Sequence, residues 1–204
     1  MTYEIPRHLD SLDELRDAAR GCRACGLWEH ATQTVFGEGP QDARVMLVGE
    51  QPGDREDREG APFVGPAGQL LDRALVAAGV DRGTVYVTNA VKHFKWVQQG
   101  RRRLHKTPGV REMRACSGWL EQELALIRPE VLVCLGGTAA RAVIHKDFKI
   151  TRQRGEFVDS EKAPHVYATV HPSYLLRIPE EAAKAAAYDQ FVADLGLIRE
   201  ALAA

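Results

Sequence analysis

The sequence predicts an α/β fold, a three-layer α/β/α arrangement around a central, mostly parallel four-stranded sheet. Three observations predict it. Four short apolar runs, Arg44–Val48, Val85–Ala90, Val131–Leu135 and Val166–Val170, lack polar alternation and read as strands buried on both faces. Helical patterns separate them, and strand–helix alternation gives parallel strands covered on both sides. Each run also ends at a distinctive turn residue, namely Gly49, Asn89, Gly136 or His171.

Leu9–Arg20 carries Leu9, Leu12, Leu15 and Ala18 at helical spacing, with Asp10 or Ser11 able to cap it and Gly21 to end it. Cys22-Arg23-Ala24-Cys25 follows in a turn-like context. Its spacing suits a metal, and two unrelated thiols are the alternative. The Arg44–Val48 strand delivers Gly49-Glu50-Gln51-Pro52-Gly53-Asp54 to a sheet edge. Ligands of open α/β sheets collect at the carboxyl ends of strands, so Glu50 and Gln51 are candidates for chemistry, against a plain surface turn. Pro62-Phe63-Val64-Gly65-Pro66-Ala67-Gly68 opens a helix to about Gly79, with Leu70, Leu71, Ala74 and Leu75 on its buried face. Phe63 can serve as core or stack on a planar ligand. Asn89, near the end of the second strand, offers an amide suited to a base edge or to a cap. Arg111–Ile127 reads as a long helix carrying Cys116, Trp119, Leu120 and Leu124, and Thr138–His145 as a helix starting at the same sheet edge. The last strand ends in His171-Pro172-Ser173, and an Ala-rich helix runs from about Glu180 to Ala203.

The 204 residues suit one domain, 1–204, and carry 27 basic against 28 acidic side chains, so the protein is no polycation and any nucleic-acid affinity has to be local. No apolar run reaches the roughly 18 residues of a membrane span, and Met1–Arg7 lacks the apolar core of a signal peptide, so a cytoplasmic protein without a membrane partner is expected. The local charge is in one place. From Arg82 to Arg111 there is no Asp or Glu, and the stretch Gly100-Arg101-Arg102-Arg103-Leu104-His105-Lys106 before Thr107-Pro108 reads as an exposed basic loop. It is either a solvated charge run or a phosphate-tracking loop that carries one nucleophile, His105, to a nucleic-acid backbone.

Taken together, Cys22-x-x-Cys25, Gly49-Glu50-Gln51-Pro52-Gly53, Pro62–Gly68, Asn89, Gly136-Gly137 and His171-Pro172-Ser173 resemble the uracil-DNA glycosylase superfamily, from about Cys22 to Arg177. Within it the chain is most similar to the UdgX type, the iron–sulfur relatives of the family-four glycosylases that become covalently attached to uracil-containing DNA. Gln51, where family four usually has alanine, and the inserted Arg101-Arg102-Arg103-Leu104-His105 carry that likeness.

The resemblance implies a uracil-DNA glycosylase-like fold, a 4Fe-4S cluster, and uracil-containing DNA, single- or double-stranded, as the partner of a monomer. Cys22, Cys25, His93 and Cys116 hold the family's ligand positions. Histidine at the third is a departure, although imidazole ligates iron in Rieske centres. Cys134, in mid-strand, is the rival ligand, and zinc would also accept three Cys and one His. The resemblance further implies that Asn89 reads the uracil edge, Phe63 stacks on the ring, the backbone around Gln51 supplies a polar wall and His171 donates to O2 of the leaving base. Glu50 would stabilise an oxocarbenium-like sugar and His105 would attack C1′, with Arg101, Arg102, Arg103 and Lys106 holding phosphates and the arginines keeping His105 neutral. The alternatives are a conventional turnover glycosylase and a non-catalytic uracil-DNA sensor.

Overall fold

A computed structural model describes residues 4–6 and 9–204, so Met1–Tyr3 and Arg7 of the N-terminal segment read above lie outside the described residues. Among the described residues six strands occur, β1 (Val45–Gly49), β2 (Val85–Asn89), β3 (Trp96–Gln99), β4 (Arg102–His105), β5 (Val131–Leu135) and β6 (His165–Thr169). Four of them form a sheet in the order β2-β1-β5-β6, parallel throughout. The apolar runs located these strands to within one residue at each end.

The helices are α1 (Leu12–Arg20), α2 (Asp54–Glu59), α3 (Pro66–Ala77), α4 (Val110–Ile127), α5 (Gly137–Val143), α6 (Ile150–Gln153), α7 (Pro172–Leu175) and α8 (Glu181–Ala203). Strand pleating sorts the core into two layers. Val45, Leu47, Val85, Val87, Val131 and Val133 pack under α3 and α8. Met46, Val48, Tyr86, Leu132, Cys134 and Val166 pack under α4 and α5. Each such aliphatic side chain contributes about 1.5–3 kcal/mol by leaving water, which is why the sheet needs both helical layers. A third apolar cluster joins α1 to α4 through Leu15, Ala19, Cys22, Cys116 and Trp119. Ser11 is the cap of α1, accepting from the Glu14 amide.

The sequence expectation fails at Gly100–Lys106, which is not a loop. β3 and β4 form an antiparallel hairpin, pairing Trp96 with His105, Val97 with Leu104, Gln98 with Arg103 and Gln99 with Arg102. Gly100 takes a positive φ of 58° in the two-residue connection, the conformation such turns demand. Pleat parity puts Trp96, His105, Gln98 and Arg103 on one face and Val97, Leu104, Gln99 and Arg102 on the other.

One polar network crosses the core. Lys92 Nζ, in a fully buried side chain, donates to Glu123 Oε2 at 2.6 Å, Thr88 Oγ1 at 2.6 Å and the Asn89 carbonyl at 2.9 Å. Glu123 Oε1 accepts from Tyr86 and Thr88, each at 2.9 Å. Every ammonium proton is used, so the pair is tolerated in the core. Glu123→Ala is expected to destabilise the protein by about 3–5 kcal/mol in chemical denaturation, because it strands a buried charge, while Lys92→Met/Glu123→Leu recovers most of the loss.

Candidate active site

The sheet order reverses direction between β1 and β5, and that switch point is where an α/β sheet opens a crevice at its carboxyl edge. A cavity of about 910 Å³ lies there. Its lining brings together Glu50 after β1, Asn89 at the end of β2, Gly136 and Gly137 after β5, and His171 after β6, with Phe63 on one wall and His105 from the hairpin. The residues predicted to be catalytic or to bind uracil therefore meet in one place, whereas those predicted to hold phosphate or metal lie outside it.

Backbone constraints shape the walls. Phe63 adopts a φ of 57°, which a side chain with a Cβ accepts only under strain, and such strain gathers at functional sites. A Cβ on Gly68 would lie 1.6 Å from the Phe63 carbonyl, so α3 can approach this turn only through glycine. A Cβ on Gly49 would lie 2.3 Å from Asn89 Oδ1 and 2.8 Å from Phe63 Cζ, so that glycine makes room for both side chains. Phe63 is at once core and cavity wall, and its ring stacks on His171 at 6.0 Å. Glu56 ties the turn after β1 to the Phe63 segment, accepting from the Gly53 amide at 3.1 Å and the Gly65 amide at 2.7 Å.

The polar groups facing the cavity are left with free valences. The Asn89 carboxamide makes no hydrogen bond to the described residues, although the residue is 3% exposed. Glu50 Oε1 is buried without a hydrogen bond, and His105 Nε2 stands 3.3 Å from it without the alignment of one. The Ser173 amide donates to His171 Nδ1 at 3.1 Å, so the neutral ring carries its proton on Nε2. Burial pushes the His171 pKa down to about 4, with His105 and Arg177 adding to it. Burial also lowers that of His105; Glu50 opposes the shift, and the arginine that adds to it is Arg177, not one of the hairpin arginines expected from sequence.

Gln51 lines the cavity, yet its side chain points its valences elsewhere. Its Nε2 donates to the Lys95 and Lys106 carbonyls at 3.2 and 3.1 Å, and its Oε1 accepts from the Lys95 amide at 2.9 Å. The whole carboxamide closes the base of the hairpin. Arg103 also departs from expectation. With 11% of its side chain exposed, it pairs with Asp54 and, at 2.6 Å, with Asp57, and lies over the rings of Phe94 and Trp96, each 5.4 Å away. The pleat turned it inward. Arg101, Arg102 and Lys106 remain exposed and form no ion pair among the described residues.

The predicted ligands divide differently. Cys22, Cys25 and Cys116 are close enough to interact electrostatically, whereas Cys134 is buried in the α4/α5-side core. Trp119 Nε1 donates to Cys22 Sγ at 3.2 Å, and the Lys92 amide to Cys116 Sγ at 3.2 Å. Thr34 donates its hydroxyl proton to the Ala19 carbonyl at 2.9 Å, so it accepts at 2.9 Å from His93 Nε2 and leaves the His93 Nδ1 lone pair free. Among the described residues no three such side chains converge on one point as a single-ion site requires. A cubane takes one ligand per iron and needs its donors spread around a cradle instead.

Sequence comparison fits this architecture. The pattern of the Uracil DNA glycosylase superfamily matches residues 36–196. The chain belongs to the uracil-DNA glycosylase superfamily. It is 39% identical to a Type-4 uracil-DNA glycosylase of Thermotoga maritima, across 81% of this chain and 83% of that one. A Type-4 uracil-DNA glycosylase of Sulfurisphaera tokodaii is 36% identical across 84% of this chain and 78% of its own. A Type-5 uracil-DNA glycosylase of Pyrobaculum aerophilum is 33% identical across 78% of this chain and 74% of its own.

Within that superfamily frame, sequence reasoning missed Glu56, Asp54, Asp57 and Arg177. Glu56 stands three residues after Gly53, a capping-box spacing that could have been read, and Arg177 stands one helical turn after Ser173. Gln51→Ala is expected to remove three hydrogen bonds at the hairpin base. Amide exchange at Lys106 should then rise roughly 10- to 100-fold, corresponding to about 1.5–3 kcal/mol, with sheet amides unchanged.

Proposed function

We propose that this chain is a uracil-DNA glycosylase of UdgX type, which excises uracil and is captured on the abasic sugar through His105. The observation that carries the reading is the 3.3 Å approach of His105 Nε2 to the unpartnered Glu50 Oε1 in the cavity that also holds Asn89, Phe63 and His171. The Type-4 and Type-5 relatives support the substrate class.

In this reading the flipped uracil lies against Phe63, with its edge on the free Asn89 carboxamide and O2 on His171 Nε2–H. The C1′–N1 bond breaks with its electron pair passing to uracil, and the His171 donor stabilises the charge that develops there. Glu50 faces the cationic sugar. His105 Nε2 then forms the new bond to C1′. The ring, alkylated on Nε2, loses its Nδ1 proton, which the uracil anion takes up through solvent, so charge and protons balance. A neutral imidazole is the nucleophilic form, and burial favours it at pH 7. Arg101, Arg102 and Lys106 track the backbone phosphates, while Arg103 acts by fixing the hairpin.

Cys22, Cys25, Cys116 and His93, through Nδ1, would hold a 4Fe-4S cluster. The N–H donors on two of the sulfurs suit this, since such bonds orient and tune thiolate ligands. When bound, the cluster would cross-link the Cys22–Cys25 turn to α4. Cys22→Ala is expected to abolish bound iron and acid-labile sulfide, and Cys134→Ala to leave both unchanged.

Intact mass after incubation with uracil-containing oligonucleotide tests the central claim, with an expected increase of one oligonucleotide minus uracil, absent with thymine. His105→Ser is expected to lose the adduct and release free uracil and an abasic site. A turnover enzyme would instead give uracil without any mass increase in the unaltered protein, and a sensor would give neither. Arg102→Ala should flatten the log-affinity against log-salt slope by roughly 0.7–0.9.

A further inference from the structure

Arg177 is a cavity-lining residue to which nothing above gives a role. α7 is one turn long, and it returns the Arg177 guanidinium to Ser173, with Nη1 3.4 Å from Oγ. The same hydroxyl is 2.8 Å from His171 Nδ1, to which the Ser173 amide also donates. Because Nδ1 accepts the amide proton, the hydroxyl must also donate to it, which leaves the Ser173 oxygen lone pairs for Arg177. A directed chain thus runs from Arg177 through Ser173 to His171.

The other charged groups lining the cavity are already engaged. Glu56 gives both oxygens to backbone amides, and Arg154 pairs with Asp194 at 2.7 Å. Glu50 faces His105. Arg177 is the one cavity-lining cation without a carboxylate in ion-pair distance among the described residues. Its field is therefore not cancelled locally. His171 stacks on the uncharged Phe63 ring, and the one carboxylate that opposes Arg177 is Glu50, 3.3 Å from His105.

We propose that Arg177 is a positioning residue for both imidazoles of the cavity, orienting His171 through Ser173 as an Nε2–H donor and holding His105 across the cavity as the free base. The inference rests on the uracil-excision reading and deepens it. A guanidinium beside two imidazoles disfavours a further positive charge on either, in the same direction as burial, while Glu50 works against it at His105. An uncharged His105 keeps its nucleophilic lone pair, and an uncharged His171 does not repel the cationic sugar.

Loss of the cation makes protonation easier, so the acid limb of the reaction should move to higher pH. The test is the single-turnover rate of the covalent DNA band between about pH 5 and pH 8. The full-length protein, Arg177→Gln and Arg177→Lys are compared at saturating uracil-DNA, with uracil release recorded in the same reactions and thermal melts confirming folding. Arg177→Gln is expected to shift the limb upward by roughly half a unit to one unit, slowing the reaction about three- to tenfold at the acid end and hardly at pH 8. Arg177→Lys should track the unaltered protein. If uracil leaves without a covalent band, the same shift is read on uracil release through His171, with the scan extended below pH 5, where the limb of that ring falls. Coincident limbs, or an equal loss at every pH in both variants, would overturn the proposal by leaving Arg177 at most a phosphate contact. If the unaltered protein releases no uracil, the reading of the site itself fails, which is distinct from normal release with an unshifted limb.

Discussion

A two-stranded ribbon does not hold its own position in water, and the chemistry proposed here depends on the tethers that fix one. The β3–β4 hairpin is held by Arg103, which is shared between Asp54 and Asp57, and by Gln51, which spends its whole carboxamide on Lys95 and Lys106. Lys95 adds an ion pair to Glu112 on α4 at 2.7 Å, and Trp96 a bond to the His30 carbonyl at 3.0 Å. Exposed ion pairs contribute little, but the Asp57 side chain is fully buried, so loss of Arg103 would leave a buried carboxylate without its counter-charge. The pleat that turns Arg103 inward also turns His105 inward two residues later. The aim of His105 and the neutralisation of Arg103 are one constraint.

A second constraint acts on the cavity walls, where space rather than charge decides. Gly49 and Gly68 admit Asn89 and Phe63 to positions that any Cβ would block, and Phe63 accepts an unfavourable backbone conformation there. Strain of this kind costs about 1–3 kcal/mol and persists only when the surroundings over-determine it. Glu56, bonded to the amides on both sides of the turn, supplies that over-determination. The result is a rigid slot with polar groups that have no partner inside the protein, which is what a site awaiting a planar ligand requires.

These two constraints differ in how far they could be read from sequence. The parallel strands were legible because burial on both faces leaves unbroken apolar runs, and their ends announced Glu50, Asn89 and His171. The hairpin was not, because three adjacent arginines masked the alternation of Val97, Leu104 and His105 around Gly100. Arg103 looked like its neighbours, since nothing local distinguishes an arginine that faces two carboxylates some fifty positions earlier. Gln51 gave no local sign of its hairpin bonds for the same reason. Its partners are far along the chain. Arg177 carried a local signal, one helical turn from Ser173, whose meaning appears only once the cavity gathers both imidazoles.

The segment from Asn89 to His93 shows how the two ends of the molecule are joined. Asn89 turns its carboxamide to the cavity while its carbonyl holds Lys92 Nζ. The Lys92 amide holds Cys116 Sγ, and His93 is fixed by Thr34. Five residues therefore link the cavity-facing amide of Asn89 to the Cys116 thiol on α4 and, through Thr34, to the end of α1. Glu123, seven residues beyond Cys116 on α4, closes the circuit by pairing with Lys92. A shift of α4 at Cys116 cannot stay local, because it must drag the Lys92 amide and with it the Asn89 carbonyl. A group held by these thiols would need no electron transfer to matter to the cavity, since holding α4 in register already sets where the Asn89 carboxamide lies.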